Sequence, residues 1–200
     1  MHLCTVVNGL FSVGDSVKAD ISDARRRAIA RNHSAAHLLQ SALRKVLGEH
    51  VSQAGSYVSD RICRFDFSHF APMTEMELHE VEAIVNSFIL AARNIETIET
   101  DPETARKMGA TALFGEKYGK TVRMVKMADF STELCGGTHC SSTGEIGLFK
   151  IVSESSVAAG VRRIEAVTGT NLLWLISDKD KLIAETAKAL KVQNPSEIAH

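Results

Sequence analysis

Cysteine and proline are both scarce in this 200-residue sequence, and it has no long apolar run. Four cysteines are too few for the disulfide framework of a small secreted protein, so we expect a reducing, cytoplasmic environment. No apolar stretch reaches the length needed to cross a bilayer, and no hydrophobic signal segment follows Met1, so no membrane partner is expected. The three prolines and the lack of low-complexity or repeated segments are consistent with a chain that buries an ordinary core.

The sequence also lacks an excess of either charge. Its formal net charge is −1 at pH 7, with 44% hydrophobic and 24% charged residues, the proportions of a typical globular protein. Any nucleic-acid surface must therefore be a local basic patch. Positive charge is concentrated near both ends of the first predicted helix, where a solvated face is the usual explanation; the residues are Arg25, Arg26, Arg27, Arg31 and Arg44.

The first twenty residues predict three short strands. Each strand is β-prone, and Asn8-Gly9 and Gly14-Asp15 between them are turn signals. Three interpretations are open at this point: the end of a small β-barrel whose earlier strands are missing, a lid on the residues that follow, or a hairpin on the main sheet. The predicted strands are residues 4–7, 10–13 and 16–19.

The rest of the sequence predicts helices that alternate with hairpin-connected strands. The first helix begins after Asp20 or Ser22 and ends at Gly48, and Asn32 could break it in two. The pattern as a whole predicts an α+β fold, an antiparallel-rich sheet packed with helices. The other predicted elements are a hairpin in 50–68, a helix from Thr74 to about Ala92, a strand at 95–100, a short helix from Pro102, strands at 121–127, 146–152 and 161–167, and a helix at 172–190.

Two histidine-containing stretches have the spacing of metal ligands. His33 and His37 lie at i and i+4, which places both imidazoles on one face of a helix. Cys135 and His139 are also four residues apart, across two glycines that allow the backbone to pass close to a site. Three imidazoles and a thiolate form a ligand set that suits tetrahedral zinc.

Other interpretations of these residues stay open. Cys135 could instead be a catalytic nucleophile with a histidine base, or a buried thiol without a task. Cys140 could replace Cys135 as the sulfur ligand, whereas Cys4 and Cys63 lie on predicted strands and are expected in the core. If all four groups bind zinc, no coordination position is left open, which is typical of a structural site.

Six segments, in order, resemble the editing domain of bacterial alanyl-tRNA synthetases. Free-standing alanyl-tRNA editing proteins are similar, and threonyl-tRNA synthetases carry a related domain. RFDFSH and CGGTH favour the alanyl branch, and the resemblance covers about residues 22–170. The segments are HSAAHLL, SQAGSYV, RFDFSH, FGEKYG, DFSTELCGGTHC and AGVRRIEAVTG.

The resemblance implies an activity and a role for individual residues. The activity is hydrolysis of alanine tRNA mischarged with serine or glycine. His33, His37, Cys135 and His139 would hold Zn²⁺, and Cys135 and Gln53 are the candidate catalytic residues. Arg162 and Arg163 are candidates for contacts with the tRNA backbone, and a surface or structural ion pair is the alternative. Asp66 and His69 are candidates for support of a ligand histidine, or buried strand residues.

The resemblance also implies a division of the chain. Residues 1–20 correspond to the end of a small barrel, 21–170 to the zinc-binding editing domain, and 171–200 to a C-terminal helix or linker. The chain resembles an excised piece of an ATP-dependent ligase whose remaining domains would be its partners. An alternative function is a zinc-stabilised module that binds the tRNA acceptor end without catalysis.

Overall fold

One long helix contacts two antiparallel sheets in the computed structural model, which describes residues 3–111, 119–192 and 194. The helices are α1 (Asp23–Leu47), α2 (Glu75–Leu90), α3 (Pro102–Lys107) and α4 (Thr170–Leu190), with a 3₁₀ turn at Thr143–Ile146. The strands are β1 (Gln53–Val58), β2 (Cys63–Ser68), β3 (Ile95–Thr100), β4 (Val122–Met127), β5 (Ser131–Leu134), β6 (Phe149–Ala158) and β7 (Val161–Thr168).

The larger sheet has the strand order β1-β2-β7-β6, and the smaller has the order β3-β4-β5. Every neighbouring pair in both sheets is antiparallel. Short connections link β1 to β2 and β6 to β7, as expected for hairpins. Antiparallel sheets packed with helices confirm the predicted fold class at this level.

Helix α1 organises the core because its middle is buried on nearly every side. The Ser22 side chain accepts a hydrogen bond from the Arg25 amide and caps the start, and Gly48, with φ of 114°, ends the helix. α1 packs against α2 and against strands of both sheets. Leu38, Leu39 and Leu43 are among its completely buried side chains.

Asn32 joins α1 to the larger sheet and does not break the helix. Its side chain is fully buried. The Asn32 amide donates to the Ser59 carbonyl at 2.8 Å, and its oxygen accepts from the Thr168 hydroxyl at 2.7 Å. Because both polar groups are satisfied, the helix keeps its direction through the residue, and His33 and His37 stay on one regular helix.

Helix α2 covers the core from the side of α1 and β6. Thr74 caps its start, as the sequence predicts, and Glu77 completes a capping box with it. Val81, Val85 and Ile89, spaced four residues apart, are its buried side chains. The Asn86 side chain bonds both the amide and the carbonyl of Phe149, each at 2.9 Å, and so holds β6 against the helix.

The predicted N-terminal strands are wrong in the part of the chain that the structure describes. Residues 3–22 contain a bend at Asn8-Gly9 and a turn at Val13-Gly14 but no strand, and every side chain there is exposed. β-propensity alone cannot form a strand, because the backbone groups of a barrel strand need partner strands, and these residues pair with none of the described strands. The partial barrel is therefore not confirmed, and the expected location of Cys4 in the core is wrong, since Cys4 is exposed.

Two further differences concern short elements. The strand predicted at 146–152 begins only at Phe149, because Thr143–Ile146 forms a 3₁₀ turn, and it continues to Ala158. The four-residue strand β5 is not predicted by the sequence pattern.

The FGEKYG segment lies outside the described residues except for Gly119. Within the described ranges, no helix combines the length and the apolar character needed to cross a membrane.

Candidate metal centre

Four side chains from two distant parts of the sequence meet beside the middle of α1. The ligand atoms of His33, His37, Cys135 and His139 all lie within 4.8 Å of one another. The Cys135 Sγ atom is 3.5 Å from His33 Nε2 and 3.3 Å from His139 Nε2. Neighbouring donors around a tetrahedral zinc are about 3.5 Å apart, given metal–ligand lengths of about 2.1–2.3 Å. The group is therefore compact enough to hold one metal ion.

The loop that carries Cys135 and His139 is fixed by strand β4. The Cys135 amide donates to the Arg123 carbonyl at 2.9 Å. The Arg123 guanidinium donates in turn to the carbonyls of Cys135, at 3.0 Å, and of Gly137. One arginine thus ties down both ends of the Cys135-Gly136-Gly137 turn and sets the direction of the thiol.

Gly137 permits the close approach of this loop to α1. A Cβ atom at residue 137 would overlap the His33 ring, whereas a Cβ atom at Gly136 would meet nothing within 4 Å. Only the second glycine of the pair is therefore required by the geometry of the site. Any larger residue at position 137 would displace His33 or separate the loop from the helix.

A buried carboxylate orients His37. The His37 Nδ1 atom is 2.7 Å from a Glu133 carboxylate oxygen, and the Ser131 hydroxyl donates to the other oxygen at 3.0 Å. Both His37 and Glu133 are buried. With Nδ1 bonded to Glu133, the other ring nitrogen, Nε2, faces the group of ligand atoms, and it is buried without a hydrogen-bond partner among the described residues. An unpartnered buried nitrogen beside a thiol and two imidazoles is the observation that best fits a metal ion.

Ser34 orients the other side of the group. Its buried hydroxyl lies 3.4 Å from His139 Nδ1 and accepts a hydrogen bond from the Cys140 amide at 3.1 Å. A serine in the middle of a helix thus reaches across to the loop that follows β5. His37 and His139 each have their Nδ1 atom in contact with an oxygen, and each has its Nε2 atom among the ligand atoms.

The protonation states of the group favour metal binding at the sulfur. Burial opposes ionisation of the Cys135 thiol, but hydrogen bonds with His139 and His33 and the nearby charge of His37 outweigh it and lower the Cys135 pKa to about 3. Burial lowers the pKa of His139, which keeps that imidazole in its neutral, metal-binding form. Burial also disfavours a charged His37, yet the charges of Glu133 and Cys135 raise its pKa to about 10, so metal binding competes with a proton there.

A cavity of about 120 Å³ adjoins the group. His33, His37 and Cys135 form one part of its wall, and the remaining lining includes Gln53 from β1 and Phe65 from β2. The structure therefore places Gln53, predicted as a pocket residue, beside the same cavity as the thiol.

The remaining predicted site residues lie in other contacts. Arg163 makes two hydrogen bonds to Asp66, at 2.6 and 2.7 Å, and Arg162 makes two to Glu154, at 2.5 and 2.7 Å. His69 contacts His50, with 2.9 Å between their ring nitrogens. The contact with a ligand histidine that was expected of Asp66 or His69 is made instead by Glu133. A role of Arg162 and Arg163 in tRNA binding stays a prediction.

Cys140 and Cys63 are buried thiols outside the four-residue group. Burial raises the pKa of the Cys63 thiol to about 12 and raises that of Cys140 as well. Both therefore resist ionisation, in contrast to Cys135, which is consistent with Cys135 as the sulfur ligand.

The sequence reasoning missed three residues of the site: Ser34, Arg123 and Glu133. Glu133 and Ser34 lie inside motifs that had been noticed for their histidines and cysteine. For Ser34 the available signal was a polar residue at a position that the helix pattern turns toward the core. Glu133 has none, because the sequence pattern does not predict β5. Arg123 gives no such signal, because its contacts to the loop depend on how β4 and β5 pair.

Comparisons with known proteins identify the relatives of this chain. Residues 122–165 match the family described as the threonyl and alanyl tRNA synthetase second additional domain. The match contains Cys135 and His139, whereas the two histidines of α1 precede it.

Alanine–tRNA ligases are similar to almost the whole chain. The ligases of Desulforamulus reducens and Pelotomaculum thermopropionicum are each 54% identical over 191 residues, 96% of the chain. That of Caldicellulosiruptor saccharolyticus is 48% identical over 198 residues, 99% of the chain. The chain spans 22% of the length of each of these relatives. The resemblance to alanyl-tRNA synthetases is therefore confirmed.

Proposed function

We propose that this chain, which is similar to alanine–tRNA ligases along nearly its whole length, hydrolyses mischarged alanine tRNA. The substrates would be the esters of serine and glycine on that tRNA. The observation that carries the proposal is the meeting of His33, His37, Cys135 and His139 beside a small cavity that also contains Gln53.

The need for such a reaction follows from the limits of binding discrimination. A pocket shaped for alanine cannot exclude the smaller glycine, and it rejects serine poorly because an added hydroxyl costs little there. Selection by binding is then limited to roughly a hundredfold, and a second hydrolytic site supplies the rest. A cavity of about 120 Å³ is of a suitable size for these small amino acids.

Zinc is the ion that best suits the donor set. Three imidazoles and one thiolate are nitrogen and sulfur ligands of the kind that zinc prefers, and the unpartnered Nε2 of His37 offers it a buried nitrogen. When bound, zinc supplies a Lewis acid that can polarise a carbonyl or lower the pKa of a water molecule.

The other residues of the site have roles that follow from their positions. Glu133 holds the proton of His37 on Nδ1, so that Nε2 is free to act as a ligand. The Gln53 amide offers both a donor and an acceptor to the aminoacyl group. The buried Phe65 ring limits the access of water from the side of the sheet.

A second candidate function is a module that binds the tRNA acceptor end without catalysis. The count of donors favours it, because four protein ligands complete a tetrahedral zinc site and leave no position for water. Turnover then requires a fifth coordination position or the displacement of one ligand. The two functions differ in one measurable property, which is whether a single protein molecule hydrolyses many substrate molecules.

The test is deacylation of seryl-tRNA in excess over the protein, comparing the wild type with Cys135→Ala and Cys140→Ala. We expect multiple turnovers for the wild type and for Cys140→Ala. Cys135→Ala should lose on the order of 100-fold or more in rate, since it removes the sulfur ligand. Slow release of serine at no more than one equivalent would support the binding module. An inactive Cys140→Ala together with an active Cys135→Ala would assign the sulfur ligand to Cys140 instead of Cys135.

The cellular setting is part of the same proposal. The chain would act in the cytoplasm together with the remaining domains of an ATP-dependent alanine–tRNA ligase. Residues 21–170 would form the editing unit, and residues 171–200 would lead toward a further domain.

A further inference from the structure

A second cavity adjoins the metal centre on the side of His139. Its volume is about 390 Å³, and its lining combines three arginines of α1 with residues of the loop that follows β5. The arginines are Arg26, Arg27 and Arg31, and Thr138 and His139 belong to the same lining. Because His139 is a member of the metal group, this cavity, called here the arginine groove, reaches the reactive centre.

The arginine groove carries a positive charge that the protein only partly neutralises. Its lining contains three guanidinium groups and one carboxylate, that of Glu145. Glu145 is bonded to the Ser141 hydroxyl at 2.6 Å and to its amide at 3.3 Å. Arg27 pairs with Asp23 one turn earlier on the exposed surface of α1, a kind of contact that contributes little. Arg26 forms no ion pair with a described residue.

The opposite approach to the metal centre has the other sign of charge. A cavity of about 390 Å³ on that side shares Gln40 and Glu133 with the small cavity of the metal centre. Arg44 and Lys45 lie in its lining with Glu49, Asp129 and Glu133, and Arg44 is already paired with Glu49. Carboxylates therefore outnumber cations there, so of these two cavities it is the arginine groove that favours a polyanion.

Arg162 and Arg163 are less suited to bind phosphate. Each donates two hydrogen bonds to one carboxylate, and the side chains of these pairs are between 8% and 26% exposed. Their charges are matched inside the protein. Contact with a phosphate would require breaking a bidentate pair.

We propose that the arginine groove binds phosphates of the unpaired 3′ end of tRNA, through Arg26, Arg27 and Arg31. The inference rests on the proposed function, because it is the position of the groove beside His139 that gives it a nucleic acid to bind. The backbone approaches from the arginine side of the metal group, while the aminoacyl group occupies the small cavity that contains Gln53. Guanidinium groups match the planar, bidentate geometry of phosphate oxygens, which supports arginine in this position.

The experiment measures binding of uncharged alanine tRNA across a sodium chloride series. The variant is the double substitution Arg26→Ala, Arg27→Ala, and its matched control is Arg106→Ala, which removes an exposed arginine of α3. We expect the double variant to weaken binding on the order of tenfold and to reduce the salt slope by about one unit for each lost contact. The control should match the wild type, and zinc content and thermal stability should be unchanged in both proteins.

A double variant with wild-type affinity and salt slope would overturn the inference, and so would a wild type that does not bind tRNA. Deacylation measured in parallel separates this failure from failure of the proposed function. If the wild type is active and the double variant has an unchanged KM, the inference about the arginine groove is wrong and the proposed hydrolase function stands. If the wild type is inactive but binds tRNA through these arginines, the proposed hydrolase function is wrong and the inference about the arginine groove stands.

Discussion

Glu133 illustrates how a single residue can determine the chemistry of its neighbours. Its carboxylate is buried, bonded to Ser131, and 2.7 Å from the Nδ1 atom of His37. This contact selects the tautomer of His37 and the direction of its ring. Carboxylates in this position raise the basicity of a ligand histidine and fix its orientation.

We predict that Glu133→Ala weakens zinc binding about 10- to 100-fold, because His37 Nδ1 then has no partner and its ring is free to turn. The measurement is a competition titration with a chromophoric chelator. Glu103→Ala is the control, since it removes an exposed carboxylate of α3 that pairs with Lys107. Equal zinc affinity in wild type and Glu133→Ala would show that His37 is not a ligand or needs no support.

The two glycines of the CGGTH segment differ in what their positions require. We predict that Gly137→Ala destabilises the protein by about 1–3 kcal/mol, as expected for overpacking, and loses zinc. A methyl group there would overlap the His33 ring, whereas Gly136→Ala meets nothing within 4 Å and should be neutral. Thermal unfolding and zinc content of the two variants check this. Similar behaviour of the two alanines would show that the loop is not held against α1.

At the scale of secondary structure, helices with local capping signals could be predicted from the sequence. α1 begins and ends where Ser22 and Gly48 predict, and α2 begins after the predicted cap Thr74. These signals lie within a few residues of the helix end, so the surrounding fold is not needed to interpret them.

Short strands could not be predicted in the same way. β5 turns Ser131 and Glu133 toward the interior, where the two bond each other, so the alternation of apolar residues that marks a strand is missing. Residues 3–22 show the opposite error, since they are β-prone and form no strand in the described part. In both cases the outcome depends on partners that lie far away in the sequence.

The candidate metal site also combines features that local sequence signals predict with features that depend on distant residues. Spacing and ligand chemistry identified the four residues that meet, because i and i+4 positions on a helix share a face. The contacts that orient them connect residues 96 positions apart, as with His37 and Glu133, or depend on sheet pairing, as with Arg123 and Gly137. No local pattern predicts such contacts.

The pairing of β2 with β7 leads to a prediction about pH. Asp66 and Arg163 lie opposite each other on these strands, and the hydrogen bonds from Arg163 lower the Asp66 pKa below its ordinary value despite partial burial. A carboxyl whose pKa is lower in the folded state stabilises the protein above its unfolded pKa, and this stabilisation is lost as the pH falls through the folded value.

We therefore predict that Asp66→Asn is less stable than the wild type at neutral pH and that the difference shrinks as the pH falls below about 4. Urea unfolding at several pH values measures it, with the exposed Asp129→Asn as the control. A difference that is independent of pH would mean that the Asp66 charge does not act through Arg163.

At the scale of the whole molecule, the metal centre lies where α1 and both sheets meet. His33 and His37 come from the helix, and Gln53 comes from the edge strand of the larger sheet. Glu133 comes from β5, and Cys135 comes from the loop that follows β5. The two larger cavities approach this centre from different sides and differ in charge. On the proposals made above, this arrangement would separate a place for a small aminoacyl group from a place for a polyanion.

The most direct test of this account is the hydrolysis of seryl-tRNA by the purified chain, measured before treatment with a strong chelator, after it, and after addition of zinc. We predict catalytic release of serine at first, loss of most of the activity on chelation, and recovery with one equivalent of zinc. The folded state should be monitored in parallel by circular dichroism. Hydrolysis that continues unchanged in a folded, zinc-free protein, or a zinc-loaded protein that binds tRNA and releases no serine, would contradict the account.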